Sequence, residues 1–154
     1  MDAYITALTL LGRRELSAKQ LRDRLTRRHF DVEEIEAVIE RLQRDRTLDD
    51  RRVALAAARM AATVKGRGRR RVLHYVQQLG VSSELAAAAV NDVFGDLDEA
   101  ALLDRAIDKR LRGASIGGLD TRSKARLVRQ LIGQGFEPGA VFARLRSKGV
   151  DADE

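Results

Sequence analysis

Apolar residues recur at helical spacing along nearly the whole chain. Residues three or four positions apart lie on one face of an α-helix, so each stripe of this kind predicts one amphipathic helix. The first third of the sequence carries three stripes: Tyr4, Ala7, Leu8 and Leu11; Leu21 and Leu25; and Ile35, Val38, Ile39 and Leu42. We therefore predict that the chain begins with a three-helix unit.

Polar residues at the joints between the stripes fit the starts of helices. Ser17 is followed three residues later by Gln20, which is the spacing of a capping box. Asp31 precedes the third stripe, with Glu34 at the matching position, and its carboxylate can accept a bond from an unpaired N–H group of the first turn. These signals predict where the second and third helices begin.

The same pattern returns twice at low sequence identity. A shift of 51 positions, and then a further shift of 55, superimposes the stripes and aligns the cap positions Asp31, Ser82 and Glu137. Each small unit has too little core to stand alone, so neighbouring units must pack on one another. We predict an all-α fold, an elongated, curved array of three tandem three-helix repeats with about nine helices. The repeats span residues 1–49, 50–98 and 99–154, with a longer loop at 112–123 in the third; a non-repetitive helical bundle is the alternative.

The composition excludes several classes of site. The chain has no cysteine, which rules out disulfides, thiolate zinc sites and a cysteine nucleophile. Its two histidines, His29 and His74, lie far apart and are expected to be packing or surface residues. No apolar run approaches the length of a membrane span, and the N-terminus lacks the features of a signal peptide. We expect a cytoplasmic protein with no cofactor, no metal and no membrane contact.

Positive charge is concentrated in the later two thirds of the chain. Residues 1–50 carry 10 Lys/Arg and 11 Asp/Glu, a net charge of −1, whereas residues 51–99 carry +3 and residues 100–154 carry +4. The total is +6. A basic surface of this kind favours a polyanion or an acidic protein face as the partner.

The segment VKGRGRRRV (64–72) is the densest cluster of cations. In the repeat frame it joins the first two helices of the second unit, so its two glycines should end a helix and expose backbone N–H groups. Arg69, Arg70 and Arg71 should then enter the next helix, where successive side chains point about 100° apart and cannot share one face. The segment can be a solvated turn, a contact for phosphates or carboxylates, or a nuclear address; its spacing excludes a Walker A loop.

No arrangement of residues indicates catalysis. The carboxylates at 49–50 and 96–99 could be drawn as metal-binding pairs of a nuclease, but both sets directly precede predicted helices, where acidic residues cap N–H groups. A three-helix unit can also resemble a helix-turn-helix. Its arginine-rich second helix faces an acidic partner helix, and aromatic residues for base stacking are nearly absent. Any DNA contact should therefore be directed to the backbone.

Four segments resemble one bacterial family in order and spacing. They are AYITALTLLGRRELSAKQLRDRL (3–25), IEAVIERLQRDRTLDDRRVA (35–54) with its Leu-Asp-Asp-Arg junction, KGRGRRRVLHYVQQLGV (65–81), and a tail between residues 101 and 145. Together they resemble RecX, the regulator of the RecA recombinase. The junction residues Asp49 and Asp50 are expected to cap helices.

The resemblance implies a non-enzymatic, monomeric regulator, expected to be an inhibitor. RecX proteins bind RecA filaments on single-stranded DNA and modulate their ATPase and strand-exchange activities. We assign contact with the filament, and with the DNA backbone, to Arg51, Arg52, Lys65, Arg67, Arg69, Arg70 and Arg71. Two alternatives remain open: a direct DNA-binding or architectural protein acting through phosphate contacts, and a helical-repeat adaptor for a different acidic partner.

Overall fold

A computed structural model describes residues 2–151 of the chain. Met1 and residues 152–154, which fall at the ends of the first and third predicted repeats, lie outside the described residues. Within 2–151 there are nine α-helices and no strand. The helices are α1 (Ala3–Arg13), α2 (Ala18–Arg27), α3 (Val32–Arg44), α4 (Asp50–Arg59), α5 (Arg69–Gln78), α6 (Ser83–Gly95), α7 (Glu99–Leu111), α8 (Thr121–Gly133) and α9 (Pro138–Asp151).

The helices form three units of three, α1–α3, α4–α6 and α7–α9, which confirms the predicted all-α repeat. The signals at the helix starts explain the regularity. Ser17 and Gln20 form the predicted capping box at α2, and Asp49 and Asp98 accept N–H bonds at the starts of α4 and α7. Helices therefore begin where a side-chain oxygen satisfies otherwise unpaired backbone donors.

The start of α3 differs from the prediction. Asp31 occupies the cap position, but its carboxylate makes no capping bond. Glu34 instead accepts a bond from the N–H of Ala3, at 3.3 Å, and so joins α3 to the first residue of α1. The helix begins where the sequence indicates, but Glu34 contacts α1 instead of completing a cap at the start of α3.

Two separate hydrophobic cores form within residues 2–151. The first lies inside α1–α3 and includes the fully buried Leu21, Leu25 and Leu42. The second is continuous through α4–α9 and includes Val72, Phe94, Ile107, Leu131 and Val141. The expectation that neighbouring units pack on one another is met through a continuous core by the second and third repeats, whereas the first repeat encloses a core of its own.

The first repeat meets the second through hydrogen bonds. The Asp50 carboxylate accepts a bond from the N–H of Ala18, at 2.8 Å, and the Ser17 hydroxyl donates to the carbonyl of Leu79. Asp50 therefore caps α2 of the first repeat, although it is the first residue of α4. The prediction that the acidic junction caps helices is correct: Asp49 caps α4 of the second repeat and Asp50 caps α2 of the first.

A π-helical turn, Met60–Val64, extends α4 toward the segment 65–68. The N–H of Lys65 donates to the carbonyl of Met60 at 3.1 Å, the five-residue spacing of this turn. Ala54, Ala58 and Ala61 already face the core, so an uninterrupted α-helix would bring Lys65 onto the same buried stripe. The wider turn leaves the Lys65 side chain exposed.

Candidate functional site

The segment 65–68 packs directly against the third repeat. The N–H of Gly68 donates to the carbonyl of Gln134 at 3.0 Å, and the N–H of Arg70 donates to the carbonyl of Gly135 at 3.1 Å. A Cβ placed on Gly68 would lie 2.5 Å from the carbonyl carbon of Gly135. The expectation that Gly68 exposes its N–H is therefore wrong, because this donor is used to join two repeats.

Gln134, at the C-terminal end of α8, connects three parts of this region. Its side-chain amide donates to the carbonyl of Gly66 at 2.8 Å. Its side-chain oxygen accepts two bonds from the Arg110 guanidinium, at 3.0 and 3.2 Å. Since its backbone carbonyl also receives Gly68, this single residue holds α7, α8 and the segment 65–68 in a fixed relation.

A groove of about 670 Å³ lies between the second and third repeats beside this junction. Its walls are the segment 65–71, the C-terminal part of α7 with the following residue, and α8. Among the described residues, seven cationic side chains and no carboxylate line it: Lys65, Arg67, Arg71, Lys109, Arg110, Arg112 and Arg126. We call this surface the basic groove. Low-dielectric walls lined by one sign of charge concentrate the electrostatic potential, so the groove should attract anions.

Some of the groove cations are held in place by neighbours. Arg71 donates to the carbonyl of Gly133 at 3.3 Å, and the ammonium of Lys65 lies 5.5 Å from the centre of the Tyr75 ring. These partners are neutral, so they orient the charges without cancelling them.

Arg112, another groove cation, ends α7 in the left-handed conformation, with φ of 51°. This conformation is costly for a residue other than glycine.

Helical geometry separates the three consecutive arginines. Arg71 enters the basic groove, whereas Arg69 donates to Glu99 at 3.1 Å and to Asn91 at 2.7 Å. Arg70 lies with Arg69 along a second cleft that Arg71 does not line. The prediction that the three side chains cannot share one face agrees with this arrangement.

The other two cations predicted as contacts lie outside the basic groove. Arg51 is exposed on α4 beside Asp49. Arg52 forms an ion pair with Glu15 and donates to the carbonyls of Arg46 and Thr47 at 3.0 and 3.1 Å. Its guanidinium therefore fastens α4 to two segments of the first repeat, which gives Arg52 a structural role.

The third repeat's share of the groove was not predicted from the sequence. Lys109, Arg110, Arg112 and Arg126 face the segment 65–71 only because α7 and α8 fold back onto it. The net charge of +4 over residues 100–154 was the available signal. Charge alone did not place these four residues, because their positions depend on contacts more than 20 residues apart in the sequence, such as that between Arg110 and Gln134.

Two carboxylates of the third repeat have pKa values below their ordinary range. The pKa of Asp104 is lowered mainly by two hydrogen bonds from Arg144 of α9, at 2.5 and 2.7 Å, against a smaller opposing effect of burial. The pKa of Asp120 is lowered by bonds from Ser123, whose N–H it accepts at 2.7 Å to start α8. Asp104 thus joins α7 to α9, and Asp120 caps α8, so both carboxylates support helices that build the groove.

Neither a metal centre nor a membrane segment is found in the part of the chain that the structure describes. Residues 2–151 bring together no group of three acidic or histidine side chains suited to a metal ion. Across the same range, none of the helices combines the length and apolar character needed to cross a bilayer. The acidic residues Asp49 and Asp98, which resembled metal-binding pairs in sequence, accept backbone N–H bonds.

Comparison with known protein families gives a consistent result. Residues 3–42 match the family model for the first three-helix domain of RecX. The chain is 30% identical over 156 residues to the regulatory protein RecX of Pelodictyon phaeoclathratiforme, covering 99% of this chain and 94% of that protein. It is 29% identical over 141 residues to the regulatory protein RecX of Syntrophotalea carbinolica, covering 92% of each.

Solved structures share the architecture. The crystal structure of RecX from Lactobacillus salivarius superimposes with a TM-score of 0.83 at 15% identity, covering 96% of this chain and 95% of that one. This likeness extends the agreement in fold across all three repeats. Together with full-length similarity at 30% identity, it establishes that the chain belongs to the RecX family of regulatory proteins.

Proposed function

We propose that this protein inhibits the RecA recombinase by binding the RecA filament on single-stranded DNA in the cytoplasm, lowering its ATPase and strand-exchange activities. It acts as a monomer without catalysis or a cofactor. Membership of a regulatory family supports the role. The observation that carries the filament contact is the basic groove, where the described part of the chain brings seven cations and no carboxylate together between two repeats.

The groove suits the phosphate backbone of the DNA within the filament. Arginine presents a planar fork that pairs with two phosphate oxygens, and lysine adds a point charge. None of the groove-lining residues is aromatic, so there is no platform on which bases could stack. Binding through this surface is therefore expected to be salt-sensitive and independent of base sequence.

The proposal divides the seven cations predicted from sequence. Lys65, Arg67 and Arg71 remain in the proposed DNA contact, joined by the four groove cations of the third repeat. Arg51 is an exposed cation outside the groove, and Arg52 is occupied by Glu15. Arg69 and Arg70 line the second cleft instead.

The same groove favours a second candidate, a DNA-binding protein that acts without RecA. In that case the protein would coat single-stranded DNA through its phosphates and would slow RecA only by competing for DNA. The two candidates differ in the protein concentration at which RecA activity falls, relative to the concentration that covers free DNA.

The test is the ATPase rate of the cognate RecA on single-stranded DNA, titrated with this protein at two salt concentrations. Binding to the same DNA without RecA is measured in parallel. We expect ATPase to fall at concentrations well below those that coat free DNA. A flat ATPase curve would overturn the proposal, and inhibition that merely follows DNA coverage would favour the second candidate.

A charge-neutral variant tests the groove itself. The triple substitution Arg67→Gln, Lys109→Gln and Arg126→Gln removes three groove cations, none of which belongs to the Gln134 bond set. For free single-stranded DNA, the slope of log affinity against log salt should shrink by about 2. The control is Arg14→Gln, Arg27→Gln and Arg28→Gln, which removes the same charge from exposed sites of the first repeat. Equal losses in both variants would exclude the groove as the contact.

A further inference from the structure

The second cleft lies between the same two repeats and has a different chemistry. It measures about 570 Å³ and shares Gly68 and Gly135 with the junction described above. Buried Phe94, Leu103 and Phe136 form its floor. We call it the apolar cleft. Its volume lies in the range of pockets that enclose a small ligand or a few side chains.

Small residues keep the apolar cleft open. Ala100 on α7 and Ala140 and Ala143 on α9 line its sides, and all three are exposed. Larger side chains at these positions would fill the space between the two helices. An exposed concave surface made of methyl groups and ring edges gains free energy when an apolar side chain covers it.

Some of the charged side chains around the cleft have an ion-pair partner and others do not. Arg69 is paired with Glu99, and Arg144 is paired with Asp104. Glu137 accepts a bond from the N–H of Ala140 at the start of α9. Arg70, by contrast, forms no ion pair with any residue of the described chain, and its side chain is exposed. Among the described residues the rim therefore carries two charges without an ion-pair partner: the Glu137 carboxylate, which is bound to the start of α9, and the exposed Arg70 guanidinium beside the apolar floor.

We infer that the apolar cleft docks a segment of the RecA protein that presents a large apolar side chain next to a carboxylate. The apolar side chain would cover Phe94, Leu103 and Phe136, and the carboxylate would pair with Arg70. This inference rests on the proposed function and assigns its protein contact, as distinct from its DNA contact. Nucleic acid fits the cleft poorly, because its aromatic rings are buried and two of its three arginines are already paired with carboxylates.

The arrangement makes two neighbouring arginines serve different partners. Arg71 faces the basic groove and Arg70 the apolar cleft, with the Gly68–Gly135 contact between the two surfaces. Substitutions one position apart should therefore affect different interactions.

Two variants test the charge and the shape of the cleft separately. Arg70→Glu reverses the rim charge at an exposed position in the first turn of α5, where a carboxylate is compatible with the helix. Ala143→Phe fills the cleft without changing its charge. The matched control is Arg67→Glu in the basic groove. Circular dichroism and thermal unfolding establish that each variant is folded.

The readouts are inhibition of RecA ATPase on single-stranded DNA and binding to the same DNA without RecA. We expect Arg70→Glu and Ala143→Phe to need at least tenfold more protein for half inhibition, with affinity for free DNA changed less than twofold. Arg67→Glu should weaken binding to free DNA by more than either. Unchanged inhibition by both folded cleft variants would overturn the inference. A wild-type protein with no effect on RecA would instead reject the proposed function, and the docking inference with it.

Discussion

Gly68 and Gly135 touch through their backbones, and neither position has room for a side chain. A Cβ on Gly68 would fall 2.6 Å from the N of Phe136, and one on Gly135 would fall 2.5 Å from the Cβ of Arg71. Gly135 also has φ of 110°, a conformation that favours glycine. The backbones of the second and third repeats are therefore in direct contact here, joined by the bonds from the N–H of Gly68 to Gln134 and from the N–H of Arg70 to Gly135.

We predict that Gly68→Ala destabilises the joint between these repeats. The added methyl group meets backbone atoms, which cannot rotate away, so the free energy of unfolding should fall by about 1–3 kcal/mol. Gly133→Ala is the matched control, since a Cβ there meets nothing within 4 Å in the last turn of α8. It should be neutral or stabilise by up to about 1 kcal/mol. Equal urea midpoints for the two variants would contradict the close contact.

Helix content and repeat phase could be read from the sequence, but contacts between repeats could not. Ser17 and Gln20 determine a helix start through a bond spanning three residues, which local sequence specifies. Gln134 acts through bonds to Gly66 and Arg110, and no local pattern distinguishes it from any other glutamine. The same contrast holds for the basic groove. Its cations in the segment 65–71 stand together in the sequence and were predicted, whereas its cations in α7 and α8 are brought there by the fold and were not.

Asp50→Ala is expected to weaken the first repeat even though residue 50 lies in the second. The substitution leaves the N–H of Ala18 without its acceptor at the start of α2. Loss of a helix cap costs about 1 kcal/mol, and up to about 2 kcal/mol in some proteins. Asp23→Ala, an exposed carboxylate within α2, serves as the control. Amide protection in α2, measured by hydrogen exchange, should fall in the first variant and hold in the second.

Arg112→Gly should separate stability from binding. Glycine adopts the left-handed conformation without the cost borne by arginine, so the folded state should gain up to about 1 kcal/mol. The same change removes one cation from the basic groove. We therefore expect a higher melting temperature together with weaker, less salt-dependent binding to single-stranded DNA. Unaltered DNA affinity in the stabilised variant would remove Arg112 from the contact.

The ion pair between Asp104 and Arg144 predicts a specific loss of stability in acid. The pKa of Asp104 in the folded chain is lowered below the ordinary value of 3.8, chiefly by hydrogen bonds from Arg144. The pair's contribution is therefore complete above the unfolded pKa and disappears as pH falls through the folded value. At pH 7, Asp104→Asn should cost about 1 kcal/mol.

The stability difference between the wild type and Asp104→Asn should be smaller at pH 3 than at pH 7. Other carboxylates, including Asp120, also have lowered pKa values, so both proteins lose stability in acid. Only the difference between them reports on Asp104. Urea unfolding at both pH values measures this difference in the free energy of unfolding. A difference that is the same at pH 7 and pH 3 would show that the ion pair contributes nothing to the fold.

Because the described residues form two separate hydrophobic cores, we expect two cooperative folding units instead of one. Hydrogen bonds at Ser17 and Asp50 and the ion pair of Arg52 with Glu15 link these units, and within residues 2–151 they share no apolar cluster. Tyr4 packs against the first core and Tyr75 against the second, so each unit carries its own spectroscopic reporter. Unfolding followed at these two residues need not coincide, and a single melting temperature would then describe neither unit. A substitution should therefore change the free energy of unfolding of one unit, and a probe in the other unit need not detect that change.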